Sequence, residues 1–207
     1  MNNWIIYTIG FIAQILFSSR LLIQWLYSEQ KNTIITPNVF WLLSLIASFL
    51  LFIYGYLRND FAIMLGQSLT YFIYIRNIQL QNKWIKLNIY LRMFILIFPL
   101  IIVIYYFNNN KFDVDILIIE NNIPKWLFIL GITSQLIFTF RFIYQWIYSE
   151  NKKESKLPIN FWLLSVLGSS LILLYGFYRE DPVLIIGHLV GSFIYLRNIF
   201  IYYKFDK

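Results

Sequence analysis

Apolar residues fill the chain in runs of about 20, the length an α-helix needs to cross a bilayer. The runs fall at Trp4–Tyr27, Val39–Leu57, Phe61–Gln79, Leu87–Phe107, Trp126–Tyr148, Asn160–Tyr178 and Pro182–Tyr203. The pattern predicts an all-α integral membrane protein of seven transmembrane helices, with a kink at Pro99 in the fourth. The first run exceeds the apolar core of a signal peptide and has no small-residue cleavage site, so a retained helix is expected.

The polar positions carry a second pattern, because the chain repeats itself at a constant spacing of 121 residues. Q-x-x-F-x-x-R-x-x-x-Q-W-x-Y-S-E occupies Gln14 to Glu29 and again Gln135 to Glu150. P-x-x-F-W-L-L-S follows at Pro37 to Ser44 and Pro158 to Ser165, then Y-G-x-x-R-x-D at Tyr54 to Asp60 and Tyr175 to Asp181. F-I-Y-x-R-N-I closes each copy at Phe72 to Ile78 and Phe193 to Ile199. The chain divides into a first three-helix repeat (1–80), a linker helix with its loop (81–124) and a second three-helix repeat (125–207). A three-helix unit ends on the side opposite its start. One extra crossing therefore lets a near-identical second unit run parallel to the first, which gives a 3+1+3 plan.

Composition agrees, since 59% of the 207 residues are hydrophobic and 13% charged, more apolar surface than a soluble domain of this size can hide. The net charge of +7 reads as membrane-flanking lysine and arginine, so no nucleic-acid partner is expected. One side of the plan carries Arg58, Lys111, Lys125 and Arg179, with Asp113, Asp115 and Glu120 in the central loop. The other carries Lys31, Lys83, Lys86, Lys152, Lys153, Lys156, Lys204 and Lys207, with Arg76 and Arg197 nearby. That asymmetry predicts an outside N-terminus and a cytoplasmic C-terminus.

Arg20 and Arg141 lie about 24 Å along their helices from the outer end at 1.5 Å per residue. A central charge costs about 2.5–3.5 kcal/mol to insert and usually faces a cavity or a partner. Gln24 and Gln145 follow at i+4, and Tyr27 and Tyr148 at i+7, on the same face. Arg76–Asn77 and Arg197–Asn198 are expected at nearly the same depth, so that four guanidiniums and several amides converge near the inner leaflet. The planar guanidinium fork matches phosphate oxygens, which points to a phosphate-bearing ligand. Snorkelling of the arginines to headgroups is the alternative. Glu29 and Glu150 either pair with arginines or stay solvated. Asp60 and Asp181 either cap the turns they occupy or act as gates. Trp25, Trp146, Trp41 and Trp162 are expected as interface anchors, and Gly66 and Gly187 as close-packing positions. Gln67 and His188 differ at equivalent positions and are candidates for selectivity. With no cysteine and one histidine, no metal site and no cofactor are expected. No nucleotide loop or nucleophile elbow is present, so the chain is expected not to be an enzyme.

F-x-x-R-x-x-x-Q-W-x-Y-S-E, P-x-x-F-W-L-L-S and I-Y-x-R-N, each present twice, resemble the lipid A biosynthesis N-terminal domain family, itself similar to PQ-loop and SWEET-type bundles. The resemblance implies a bacterial inner-membrane translocator of a polyprenyl-phosphate-linked sugar used in lipid A modification, working by alternating access between two triple-helix bundles. Arg20, Arg76, Arg141 and Arg197 would hold the phosphate, with Gln24, Gln145, Asn77 and Asn198 on phosphate or sugar. Membrane lipids and a membrane glycosyltransferase are the implied partners. A SWEET-like transporter of a small soluble sugar and a non-transporting glycosyltransferase partner are the alternatives. Gln24 and Gln145 follow isoleucine and tyrosine, so the Pro-Gln pair is missing from both copies.

Overall fold

In the computed structural model, described for residues 3–58, 60–108 and 123–205, seven long helices follow one another with no strand among the described residues. They are α1 (Asn3–Lys31), α2 (Asn38–Leu57), α3 (Phe61–Leu80), α4 (Ile89–Asn108), α5 (Lys125–Lys152), α6 (Ile159–Tyr178) and α7 (Pro182–Phe205). Helix α4 runs unbroken through Pro99, where a kink was expected, while the loop residues Lys111, Asp113, Asp115 and Glu120 lie outside the described residues.

Helix ends follow local chemistry. Pro37 and Pro158 precede α2 and α6 in extended conformation, where the missing N–H costs nothing. The Asp60 side chain caps α3 by accepting from the Ile63 N–H at 3.1 Å. Asp181 caps α7 by accepting from Val183 and Leu184 N–H at 3.0 and 3.1 Å. At the other end α1 and α5 run past their apolar stretches until Asn32 and Lys153 turn left-handed (φ 53° and 55°). Ser28 and Ser149 then accept the Ile35 and Lys156 N–H groups and fold each connection back onto its helix.

Helix α2 packs between α1 and α3, and α6 between α5 and α7. The two units meet reciprocally, α1 against α7 and α3 against α5. Helix α4 touches the first unit, where the Tyr71 hydroxyl donates to the Ile95 carbonyl at 2.8 Å and Phe98 stacks on Phe49. Two apolar clusters result. One gathers Phe40, Trp41, Tyr74, Phe142, Phe161, Trp162 and Tyr195, and the other Ile6, Leu51, Tyr54, Ile63, Ile172, Tyr175 and Leu184. Trp41 and Trp162 are wholly buried, which corrects their expected role as interface anchors: each faces the opposite unit's arginine-bearing helix or its own aromatic cluster instead of headgroups.

Large apolar side chains such as Ile15, Ile129, Leu167 and Phe193 point outward, the reverse of a water-facing surface. Helices α1, α2, α5, α6 and α7 are long and apolar enough to cross a membrane. Helix α3 falls short by composition, with Gln67, Arg76, Asn77 and Gln79 in its 20 residues, and the described apolar stretch of α4 is Ile89–Phe98. The chain is a membrane protein.

Candidate functional site

Between the two apolar clusters the units enclose a cavity of about 50 Å³. Its walls include Arg20, Gln14, Gln67 and Tyr74 from the first unit and Arg141, Gln135, His188 and Tyr195 from the second. Arg20 is 3% exposed and Arg141 1%. Each rests on aromatic faces: the Arg141 guanidinium lies 3.4 Å from the Phe138 ring centre and 4.5 Å from Phe142. The Arg20 group lies 4.6 Å from Phe17 and 4.9 Å from Phe40. Cation–π attraction offsets part of their desolvation. Arg141 donates to Ser165 Oγ at 2.8 Å and Arg20 donates to Ser44 Oγ, while the Nε of both has no partner. No carboxylate lines the cavity among the described residues. Two buried positive charges thus share one wall with no carboxylate beside them among the described residues, an arrangement that favours an anion on electrostatic grounds.

The glutamines enter the cavity region across the unit boundary. Gly187 lies directly under the Gln14 amide and Gly66 under that of Gln135, where a Cβ would collide. His188 occupies the position equivalent to Gln67; its Nδ1 lies 3.2 Å from Ser169 Oγ and its ring packs on Phe138.

Toward the Glu29/Glu150 end the cavity is shut by reciprocal bonds between units. Gln24 Nε2 donates to Asn198 Oδ1 at 2.9 Å. Gln145 and Asn77 exchange two bonds at 2.8 and 3.1 Å. Beyond these amides Arg197 pairs with Glu29, and Arg76 with Glu150. Trp25 and Trp146 indole N–H groups donate to the same two carboxylates. The expectation that all four arginines converge is thereby corrected. Arg76 and Arg197 sit on the outer side of the amide layer, drawn to glutamates of the opposite unit. Tyr27 is exposed, and the neighbouring Ser28, buried and bonded to Gln24 at 2.9 Å, takes the place expected for the phenol. Reversing one charge, Glu29→Arg or Arg197→Glu, is expected to lower the unfolding temperature slightly (about 1 kcal/mol or less for so exposed a pair). The double swap should restore it, and thermal unfolding in detergent measures both.

The opposite end is shut in the same manner. The Tyr54 hydroxyl donates to Asp181 at 2.8 Å and the Tyr175 hydroxyl to Asp60 at 2.8 Å. Arg58 and Arg179 stand 3.5 and 3.6 Å from the same carboxylates. Asp60 and Asp181 thus cap their own helices and bind the other unit at once. Sequence reasoning passed over Gln14, Gln135, Tyr54, Tyr175, Ser44 and Ser165 as site residues, although the repeat preserves all six. Among the described residues, no group of three or more histidines or carboxylates is placed to hold a metal.

A pseudo-symmetric bundle of membrane helices around a cavity walled by two arginines defines the class. The model of the Lipid A Biosynthesis N-terminal domain matches this chain twice, over residues 9–79 and 130–200. The chain belongs to that family. It is 31% identical over 97% of its length to the lipid-A-disaccharide synthase of Chlamydia felis, 27% identical to that of Chlamydia pneumoniae and 28% identical to that of Chlamydia trachomatis serovar D. It spans about a third of the length of these relatives. No solved structure matches it. These relatives overturn the expectation that the chain is not an enzyme. Proteins matched along nearly its whole length bear the name of an enzyme, so its sequence belongs with an enzyme family despite the lack of a catalytic motif. The chain is thereby related to lipid A biosynthesis.

Proposed function

We propose that this protein moves a phosphate-bearing lipid headgroup across the bacterial inner membrane for lipid A biosynthesis, its tail remaining in the bilayer. The expected lipid is a polyprenyl phosphate of the kind that carries a sugar. In this reading all seven helices cross in a 3+1+3 plan, with the Asp60/Asp181 end outside and the Glu29/Glu150 end cytoplasmic. The observation that carries it is the pair of buried guanidiniums, Arg20 and Arg141, facing one cavity without a carboxylate. Arg20 and Arg141 hold the phosphate, and Gln14, Gln135, Gln67 and His188 supply further polar contacts. Gln24–Asn198 and Gln145–Asn77, with the Glu29 and Glu150 ion pairs, form the inner closure. Tyr54–Asp181 and Tyr175–Asp60 form the outer one. Breaking one set while keeping the other opens the cavity to one face at a time, as alternating access requires. A free sugar is poorly served by such a site, since a neutral ring leaves both charges unpaired. The name borne by the relatives suits a unit that delivers lipid to a glycosyl-transfer reaction, which is the partner context we propose.

The test is headgroup movement in vesicles reconstituted with the full chain. Wild type is expected to move a fluorescent polyprenyl phosphate between leaflets, and the Arg20→Gln, Arg141→Gln double variant, folded by circular dichroism, is expected not to. Equal movement by that variant would sink the proposal.

A further inference from the structure

We infer that the cavity selects a headgroup bearing two negative charges on one phosphate, a phosphate monoester, over the singly charged phosphodiester of a lipid-linked sugar. The inference rests on the proposed reading of the cavity as a lipid-phosphate site and narrows its ligand.

Charge balance is the first ground. Arg20 and Arg141 line the same small space and both are almost fully buried. Every carboxylate near the unit boundary among the described residues is engaged at an end of the molecule: Asp60 and Asp181 with Tyr175 and Tyr54, Glu29 and Glu150 with Arg197 and Arg76. The cavity wall therefore carries two positive charges with no carboxylate beside them among the described residues. In a medium of low effective dielectric an anion of one charge leaves one of them unpaired, whereas a dianion neutralises both. His188 is the remaining basic group on the wall.

Donor geometry is the second ground. Each guanidinium donates a terminal nitrogen to a serine and keeps a buried Nε without a partner. A monoester has three terminal oxygens to accept from two guanidiniums. A diester has two, and its fourth substituent brings a sugar to the same place. Size is the third ground. A water needs roughly 10–15 Å³ of such volume, so a cavity of about 50 Å³ has room for a few water-sized groups. A single phosphate group is on the order of that size.

The experiment compares three probes on the full chain in detergent by native mass spectrometry: a polyprenyl monophosphate, the same prenol joined to a hexose through a phosphodiester, and inorganic phosphate. At pH 8 the monoester lipid is expected to bind at least about tenfold more tightly than the diester. The monoester takes up its second proton near pH 6, so the preference should shrink as pH falls to 5, where both lipids carry about one charge. The groups lining the cavity, besides the two arginines, are His188, Tyr74 and Tyr195, and the diester lipid, whose own charge is constant from pH 8 to 5, serves as the reference for any change in the wall. In Arg20→Gln or Arg141→Gln the preference should fall toward unity. Equal binding of monoester and diester at pH 8 overturns the charge rule while leaving the lipid-phosphate site standing. Binding of neither lipid overturns the underlying reading as well. Inorganic phosphate binding as tightly as the monoester lipid overturns the assignment to a lipid and makes the ligand free phosphate.

Discussion

Replacing Arg141 with methionine is expected to raise the unfolding temperature of the empty protein and to abolish headgroup transport. Arg141 is 1% exposed, has one hydrogen bond to Ser165 and no carboxylate partner, and sits among Phe138, Phe142, Phe161 and Tyr195. Methionine keeps the length and the aromatic contacts and removes a charge that is expensive to dehydrate. Exchanging buried charged groups for well-packed apolar ones has stabilised other proteins by about 1–4 kcal/mol, and the same sign is expected here. Function should move the opposite way. Removing one partner of a buried charge-assisted contact costs about 2–5 kcal/mol of binding, or roughly thirtyfold to several thousandfold. Thermal unfolding in lipid-free detergent and headgroup movement in vesicles give the two readings. A lower unfolding temperature with transport intact would make Arg141 a structural residue. A stable, inactive variant is the signature of a site held at the expense of the fold.

The second large effect concerns the opposite end. Asp181→Ala removes the acceptor for the Tyr54 hydroxyl, the partner of Arg58 and the cap of α7 together. Breaking a buried pair from one side typically costs about 3–5 kcal/mol. Arg58 is 22% exposed and regains some water, so the lower half of that range is expected, with about 1 kcal/mol from the lost cap. Asp181→Asn keeps an oxygen for the cap and should lose less. Asp60→Ala should lose less too, because Asp60 caps through one N–H where Asp181 caps through two. Detergent unfolding of the three variants orders them. A shift under about 1 kcal/mol for Asp181→Ala would contradict a structural closure at this end.

Much of the fold was legible because length and hydropathy govern it. The seven apolar runs anticipate the seven described helices, and α1 and α5 extend a few residues beyond their apolar stretches, to Lys31 and Lys152. There the helix continues through Ser28, Glu29 and Ser149, Glu150 because hydrogen bonding, not hydropathy, decides where it stops. The buried pair Arg20 and Arg141 was legible as charge at the wrong depth for lipid. What could not be read was which copy of each residue meets which. The motif is the same in both halves, so Glu29 reads identically whether it pairs with Arg76 of its own unit or Arg197 of the other. Packing of α1 on α7 and α3 on α5 decides for the other unit at the glutamates, the inner amides and the Tyr–Asp pairs, while Arg20–Ser44 and Arg141–Ser165 stay within their own units. That choice removed Arg76 and Arg197 from the cavity. It also brought in Gln14 and Gln135, which the sequence offered only as helix-face amides, and which reach the boundary because Gly187 and Gly66 leave room.

One detail of the inner amides breaks the symmetry. Asn77 Oδ1 also accepts from Ser155 at 2.8 Å, and Ser155 in turn accepts from the Trp41 indole at 2.6 Å. The equivalent of Ser155 is Ile34, so the Trp162 indole N–H goes without a partner, and Gln24 Oε1 does likewise. Two otherwise matching latches therefore differ in grip, one doubly bonded and braced, the other held by a single bond. If the halves part as proposed, the slack latch is expected to yield first and the braced one to serve as the hinge. Twofold likeness in the parts is thus compatible with a door that has one fixed jamb.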